Sequence, residues 1–285
     1  MMDKTATRTS RSNNLKRVLA KIAAAPPLIL ILASCTFSTE NLEYERAEKA
    51  EQAGKHEEAV KHYRALIERA SQTPLALKAA QEAARISNYD LKRFKDAIDL
   101  YKHVVLYSPA ERERIDAQKH IAEIYFTQTL DYRNAIIEYS RLLELPHGDA
   151  EEAQYRMAIA RSYFYQNNFF QSQMEIDRIL KGKFDKLTQF DARVLKSNIY
   201  LTTKELDEAI KVLNELIQQD PERAKEEKVG LLLAICYEEK KNFSKAVETL
   251  ISIRDFYPRR DFIDNKIRAL KAREYHQPGA RGLKK

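Results

Sequence analysis

The sequence predicts an all-α protein assembled from repeated helix pairs, and three observations carry that expectation. Only six of the 285 residues are glycine, too few for a turn-dense β fold or for Gly-rich phosphate loops. Ala, Leu, Glu, Lys and Arg dominate, and all favour helices. Small residues recur with a fixed period: Ala59, Ala97, Ala135, Ser172, Ala209 and Ala246 are spaced by 38, 38, 37, 37 and 37. A sustained period of this length marks stacked two-helix units, each needing a neighbour to cover its apolar face.

The clearest unit is Leu231 to Pro258, LLLAICYEEKKNFSKAVETLISIRDFYP. Ala234, Tyr237, Phe243, Ala246, Leu250 and Ile253 place small residues where two helices touch and large apolar ones three or four positions away. This pattern resembles a tetratricopeptide repeat (TPR). The resemblance implies a right-handed superhelix whose concave face is lined by the first helix of each pair.

Six such units are expected over residues 41–258. The first, Leu42–Pro74, turns at Gly54 and His56, and its charged first helix suits a terminal position. The second, Leu75–Pro109, carries Ala80, Ala83 and Ala84, then Phe94, Ala97, Tyr101 and Val104, with a turn longer by one residue. The third, Arg112–Pro146, carries Ala122, Tyr125, Tyr132, Ala135 and Tyr139, again with one extra residue. The fourth, Asp149–Gly182, has Ala160, Tyr163, Phe169, Ser172 and Ile176. The fifth, Lys186–Pro221, has Ser197, Tyr200, Leu206, Ala209 and Leu213. Residues 259–276 are expected as a capping helix, with Phe262, Ile263, Ile267 and Leu270 on one stripe. Residues 277–285 read as a disordered tail. Two helices per repeat plus the cap make thirteen, with no domain boundary between residues 41 and 275.

Residues 1–34 differ from the rest. Lys4, Arg8, Arg11, Lys16, Arg17 and Lys21 face Asp3 alone, and the rest of the chain holds 43 basic and 41 acidic residues. Most of the net charge of +7 therefore lies in this segment, and the electrostatic case for nucleic-acid binding falls away. Ile22 to Ala33 is an apolar run of twelve residues. It is too short for a spanning helix, which needs about 20 residues, and has the length of a signal-peptide core. Leu32-Ala33-Ser34-Cys35 follows at its edge and resembles the lipobox of bacterial lipoproteins. The resemblance implies cleavage after residue 34, lipidation of Cys35 and a tether over residues 35–40. Several acyl chains, at about 0.8 kcal/mol per buried methylene, anchor a protein stably. Thr36, where an Asp favours inner-membrane retention in enterobacteria, implies an outer-membrane position facing the periplasm. The other cysteine, Cys236, is expected to be a small buried hydrophobe.

No enzymatic motif is present. Gly54-Lys55 and Gly182-Lys183 lack the rest of a P-loop, H-E-x-x-H is absent, and the two cysteines are too far apart in sequence to suggest a zinc site. No catalytic residue, cofactor or metal is expected. Carboxylates are expected in i,i+4 pairs such as Glu57–Lys61. The recurring tyrosines, Tyr125, Tyr163, Tyr200 and Tyr237, are expected in the core, and Phe126 and Phe164 in repeat packing. Glu123, Arg161 and Asn198 follow the small residue of successive first helices, a groove-facing position in TPRs. With Lys119 and Tyr165 they form the expected partner-binding groove, suited to an extended peptide or a helix. Leu231 and Ile235, the matching positions of the sixth repeat, are expected to lie under the cap.

The combination of lipobox and repeats resembles bacterial TPR outer-membrane lipoproteins, such as the one in the β-barrel assembly machinery. It implies a lipid-anchored scaffold that binds other envelope proteins through the groove. The TPR part of the division coordinator of the Tol–Pal system is similar too. A pilotin-like targeting factor for a type IV pilus secretin is the alternative the resemblance leaves open.

Overall fold

The computed structural model describes the backbone of residues 27–275 and side chains from Glu40 onward. Residues 1–26 of the expected leader, the Cys35 side chain and the expected tail, 277–285, lie outside the described residues. The backbone through residues 35–40, expected as a tether, is helical and continuous with the first repeat.

Fourteen α-helices occur among the described residues. They are α1 (Pro27–Gln52), α2 (His56–Arg69), α3 (Pro74–Tyr89), α4 (Phe94–Tyr107), α5 (Glu111–Glu123), α6 (Tyr132–Leu143) and α7 (Asp149–Tyr165), followed by α8 (Phe169–Lys181), α9 (Lys186–Thr202), α10 (Leu206–Gln219), α11 (Pro221–Glu226), α12 (Val229–Glu239), α13 (Phe243–Ile253) and α14 (Arg260–Tyr275). The short α11 is additional to the thirteen that the repeat pattern implies. Asp220 caps it, accepting the Arg223 N–H at 3.0 Å, and Pro221 opens it. Lys228, at φ 57°, ends the segment before α12. Thr73, Asp131, Asn168, Asp185 and Asn242 cap α3, α6, α8, α9 and α13 in the same way, each satisfying an N–H that the helix itself leaves unpaired.

The turn inside each helix pair has one residue in the left-handed region: Gly54, Lys92, Leu130, Asn167, Lys204 and Lys241. These positions repeat at 38, 38, 37, 37 and 37, five residues ahead of the small-residue series. Just past them, the N–H of Lys55, Asn168, Glu205 and Asn242 bonds the carbonyl five residues earlier, at 2.8–2.9 Å. The two longer repeats accommodate their extra residue differently. In the second, Arg93 reaches back six residues to Ser87 at 2.7 Å. In the third, the end of the first helix widens into a π turn over Ile124–Gln128, the usual structural result of a one-residue insertion.

The chain packs as two compact units, residues up to Ala117 and residues from Gln118 onward. In the first, α1 to α4 pack side by side. Ala59, Ala80, Ala83, Ala84 and Ala97 are fully buried, so the helices approach closely around Tyr63 and Leu66. Tyr44 meets Tyr63 edge to face at 5.4 Å. Glu57 pairs with Arg93 of the next helix pair at 2.6 Å, not with Lys61; the cross-repeat partner is the one that packing brings within reach.

In the second unit, Ser172 occupies the small-residue position and is fully buried. Its hydroxyl donates to the Ala160 carbonyl at 2.7 Å, which removes the cost of burying an unpaired polar group. Ile176, Ile179 and Ile199 fill the layer around it. Ile263, Ile267 and Leu270 of α14 close the stack against Phe243 and Leu250. Burial of each such side chain stabilises by roughly 1.5–3 kcal/mol, which holds the cap in place. Tyr125, Tyr163, Tyr200 and Tyr237 are half-buried, not fully buried as expected; Tyr200 and Tyr237 pack against the buried clusters beside them.

Candidate partner-binding site

The five groove residues lie on three successive first helices, α5, α7 and α9, all within the second unit. Their anchors, Ala122, Ala160 and Ser197, are buried, which fixes the phase of each helix and directs the next residue outward. Glu123 and Arg161 are exposed and Asn198 is half-buried. The Arg161 side chain makes no hydrogen bond or ion pair among the described residues. Glu123 lies near the Tyr139 phenol, whose pKa burial pushes up to about 12 with help from the Glu123 charge. The Asn198 carbonyl accepts the Thr202 hydroxyl at 2.8 Å.

Lys119 and Tyr165 have partners of their own. The Lys119 ammonium contacts Glu151 at 2.6 Å, tying α5 to the start of α7. Lys119 and the Gly148 N–H together hold the Glu151 carboxyl below its ordinary range. Tyr165 stacks on Tyr132 with ring centres 4.8 Å apart and lies 6.5 Å from Phe126. Phe126 in turn meets Tyr132 and Tyr139 edge to face, and Phe164 packs on the Ile176–Ile199 layer; both are repeat packing, as expected. Tyr165 remains 52% exposed. It is thus a preorganised aromatic ledge beside an unpaired guanidinium one turn away, a pairing suited to a carboxylate next to an apolar group.

A polar strut lies beneath this surface. Gln118, Arg156 and Arg193 occupy one register position of α5, α7 and α9, at spacings of 38 and 37. Gln118 donates to the buried Glu138 at 2.6 Å, Arg156 to the buried Glu175 at 3.2 Å and Arg193 to Glu215 at 2.6 Å. These bonds join each first helix to its second helix. The next position in the series is Gly230, with no arm to extend. A Cβ there would meet Ile253 Cγ2 at 2.5 Å, so α12 and α13 approach through that glycine.

Beside Gly230 the helices enclose a recess of about 500 Å³ between α10, α11, α12 and α13. Leu231, expected under the cap, packs against the cap's apolar cluster and also lines this recess. The recess was not evident from the repeat pattern. Gly230, where the Gln118–Arg156–Arg193 series breaks, is among its lining residues.

Among the described residues no cluster of His, Cys, Asp or Glu is arranged to hold a metal ion. Cys236 is fully buried, and burial pushes its thiol up to about 11, which suits a packing residue and not a nucleophile. No helix among the described residues is long and apolar enough to cross a membrane.

Comparisons with known proteins bear on the fold. Tetratricopeptide-repeat family profiles match residues 157–224 and 204–274. No curated protein matches the chain. Among solved structures, a tetratricopeptide repeat protein from Parabacteroides merdae is similar with a TM-score of 0.57 and 15% identity, over 83% of this chain and 88% of that one. PilW, described as a widely conserved type IV pilus biogenesis factor, is similar with a TM-score of 0.50 and 11% identity, over 79% of this chain and 98% of its own. This fold is a scaffold suited to protein–protein interaction. The chain has the tetratricopeptide-repeat fold, and residues 157–274 match the tetratricopeptide-repeat family by sequence as well.

Proposed function

We propose that this protein is a lipid-anchored scaffold at the periplasmic face of the outer membrane, holding partner proteins during envelope or outer-membrane protein assembly. The observation that carries the anchoring is Leu32-Ala33-Ser34-Cys35 at the edge of the twelve-residue apolar run. Small residues before the cysteine let a protease hold the chain extended, and the basic flank stays cytoplasmic. The binding surface is the groove of α5, α7 and α9. Arg161 and the stacked Tyr165 supply a cation and an aromatic ledge, and Glu123, Lys119 and Asn198 surround them with polar groups.

The test has two parts. Palmitate labelling, with globomycin treatment and the Cys35→Ala variant, should show a labelled protein whose size and membrane association change when the cysteine is lost. An unchanged protein would end the lipoprotein reading. Co-purification from membranes with Arg161→Glu plus Tyr165→Ala should then lose partners that the parent chain retains. If every partner is retained, the groove is not the binding surface.

The second reading is a pilotin-like targeting factor for a type IV pilus secretin. The likeness to PilW shows a shared fold and is compatible with this reading. Recovery of secretin multimers, in place of barrel-assembly components, in the same co-purification would favour it.

A further inference from the structure

The recess at the sixth repeat is a second place where a partner can be held, separate from the groove. Its volume of about 500 Å³ lies in the range of sites that enclose small ligands or anchoring side chains. Its apolar lining includes Ile217, Leu231, Tyr237 and Phe256, while Lys225, Lys228 and Lys245 face a single lining carboxylate, Glu248. Lys225 lies 5.4 Å from the centre of the Phe256 ring and Lys245 lies 5.6 Å from that of Tyr237, so cations stand directly over the aromatic lining. Lys225 pairs with Glu222 at 2.6 Å. Among the described residues, neither Lys228 nor Lys245 has a carboxylate within ion-pair distance.

This excess of cations is not the rule in the fold. The hollow beside Tyr44 and Tyr63 in the first unit holds Glu48, Glu51, Glu82 and Asp90. There Arg85 bonds Glu51 and Glu82 and lies 3.9 Å from Asp90, and with Lys78 as the other lining cation the excess in that hollow is of carboxylates. The recess at the sixth repeat has cations left for a ligand.

We infer that this recess binds an acidic segment of a partner polypeptide carrying one aromatic or leucine side chain. The apolar side chain enters between Tyr237 and Phe256, and flanking carboxylates meet Lys228 and Lys245. The ammonium groups come from α11, from the turn before α12 and from α13. That spread suits several carboxylates along an extended peptide better than the single head of a fatty acid. Cations standing over aromatic faces while contacting carboxylates make the arrangement selective for acidic over basic partners.

The test uses the full-length chain held in lipid nanodiscs and three fluorescein-labelled peptides read by polarisation. They are Asp-Glu-Phe-Glu-Asp, the same peptide with Ser for Phe, and Lys-Lys-Phe-Lys-Lys. The acidic phenylalanine peptide should bind at least about tenfold tighter than either of the others, because it alone satisfies both the apolar and the charged walls. Lys228→Glu with Lys245→Glu should weaken it by about tenfold or more through like-charge repulsion. Ser252→Trp, at an exposed position of the lining, should block it while the far-UV circular dichroism and melting curve stay unchanged. Arg161→Glu should leave it intact, which separates this site from the groove. Equal binding of the acidic and basic peptides, or indifference to the lysine and Ser252 variants, would overturn the inference. So would Ser252-dependent uptake of dodecanoate without peptide binding, which would make the recess an acyl site instead.

Discussion

Replacing Gly54 by Ala and Lys92 by Gly should move the stability of the first unit in opposite directions. Both are the left-handed residue of their turn, at φ +70° and 55°. A Cβ built on Gly54 meets no heavy atom within 4 Å, so the substitution adds no clash and its cost is conformational. The left-handed region costs an L-residue roughly 1–2 kcal/mol, and restricting the unfolded chain returns about 0.4–1 kcal/mol. The balance for Gly54→Ala is a loss of about 1 kcal/mol. Lys92→Gly reverses the same balance. Lys92 is exposed and makes no hydrogen bond or ion pair among the described residues, so its removal sacrifices no contact and should stabilise by about 0.5–1 kcal/mol. Stacked repeats in two units need not unfold in one step. The assay is therefore amide hydrogen exchange across α1 to α4, together with urea unfolding. A shift of 1 kcal/mol appears as about a fivefold change in the opening equilibrium. If Lys92→Gly destabilises, or Gly54→Ala is neutral, the left-handed turn is not what limits these helix pairs.

Three other outcomes follow from the packing and the titrating groups. Gly230→Ala should destabilise the sixth repeat by about 1–3 kcal/mol, since its Cβ would lie 2.5 Å from Ile253 Cγ2. Adding Ile253→Ala should then cost less than the two single losses combined in a urea titration. The Glu43 carboxyl is held below its ordinary range first by the hydrogen bond with His62 at 2.8 Å, then by Arg46 and Arg69. A depressed carboxyl stabilises the fold above its unfolded value and withdraws that contribution as pH falls through the folded one. Stability should therefore drop between about pH 5 and pH 3, and more shallowly in Glu43→Gln. Cys236 should resist iodoacetamide at pH 8 in the folded protein and react once urea opens the unit, because it is buried and its thiol stays protonated. Rapid labelling of the folded Cys35→Ala variant would contradict that placement.

The repeat architecture was legible because its signals are local and periodic. Small residues at 59, 97, 135, 172, 209 and 246 mark the contact between paired helices, and all six are buried. The glycine at 54 announced the turn of the first repeat. The same backbone shape at Lys92, Leu130, Lys204 and Lys241 was invisible, because those residue types carry no left-handed signature. The extra residue in repeats two and three was visible as a count, but not its form as a π turn in one and a six-residue closure in the other.

The groove residues were partly legible by register. Phase alone placed Glu123 and Arg161 outward. It could not show that Glu151 pairs with Lys119, or that Tyr132 holds the Tyr165 ring, since both contacts join separate helices. The recess at Gly230 was missed because a cavity is a property of the space between several elements, here α10, α11, α12 and α13.

Sequence by itself therefore determined the all-α class, the repeat period, the capping helix and the buried character of Cys236. Those follow from side-chain size and spacing along one or two turns. Tertiary structure alone decided which charges are satisfied and which remain available. Arg85 is taken up by Glu51 and Glu82 of its acidic hollow, whereas Lys228 and Lys245 border an apolar recess without carboxylate partners among the described residues. The reason is distance: ion pairs and cavities depend on ångström-scale approach between helices tens of residues apart, which no local pattern encodes.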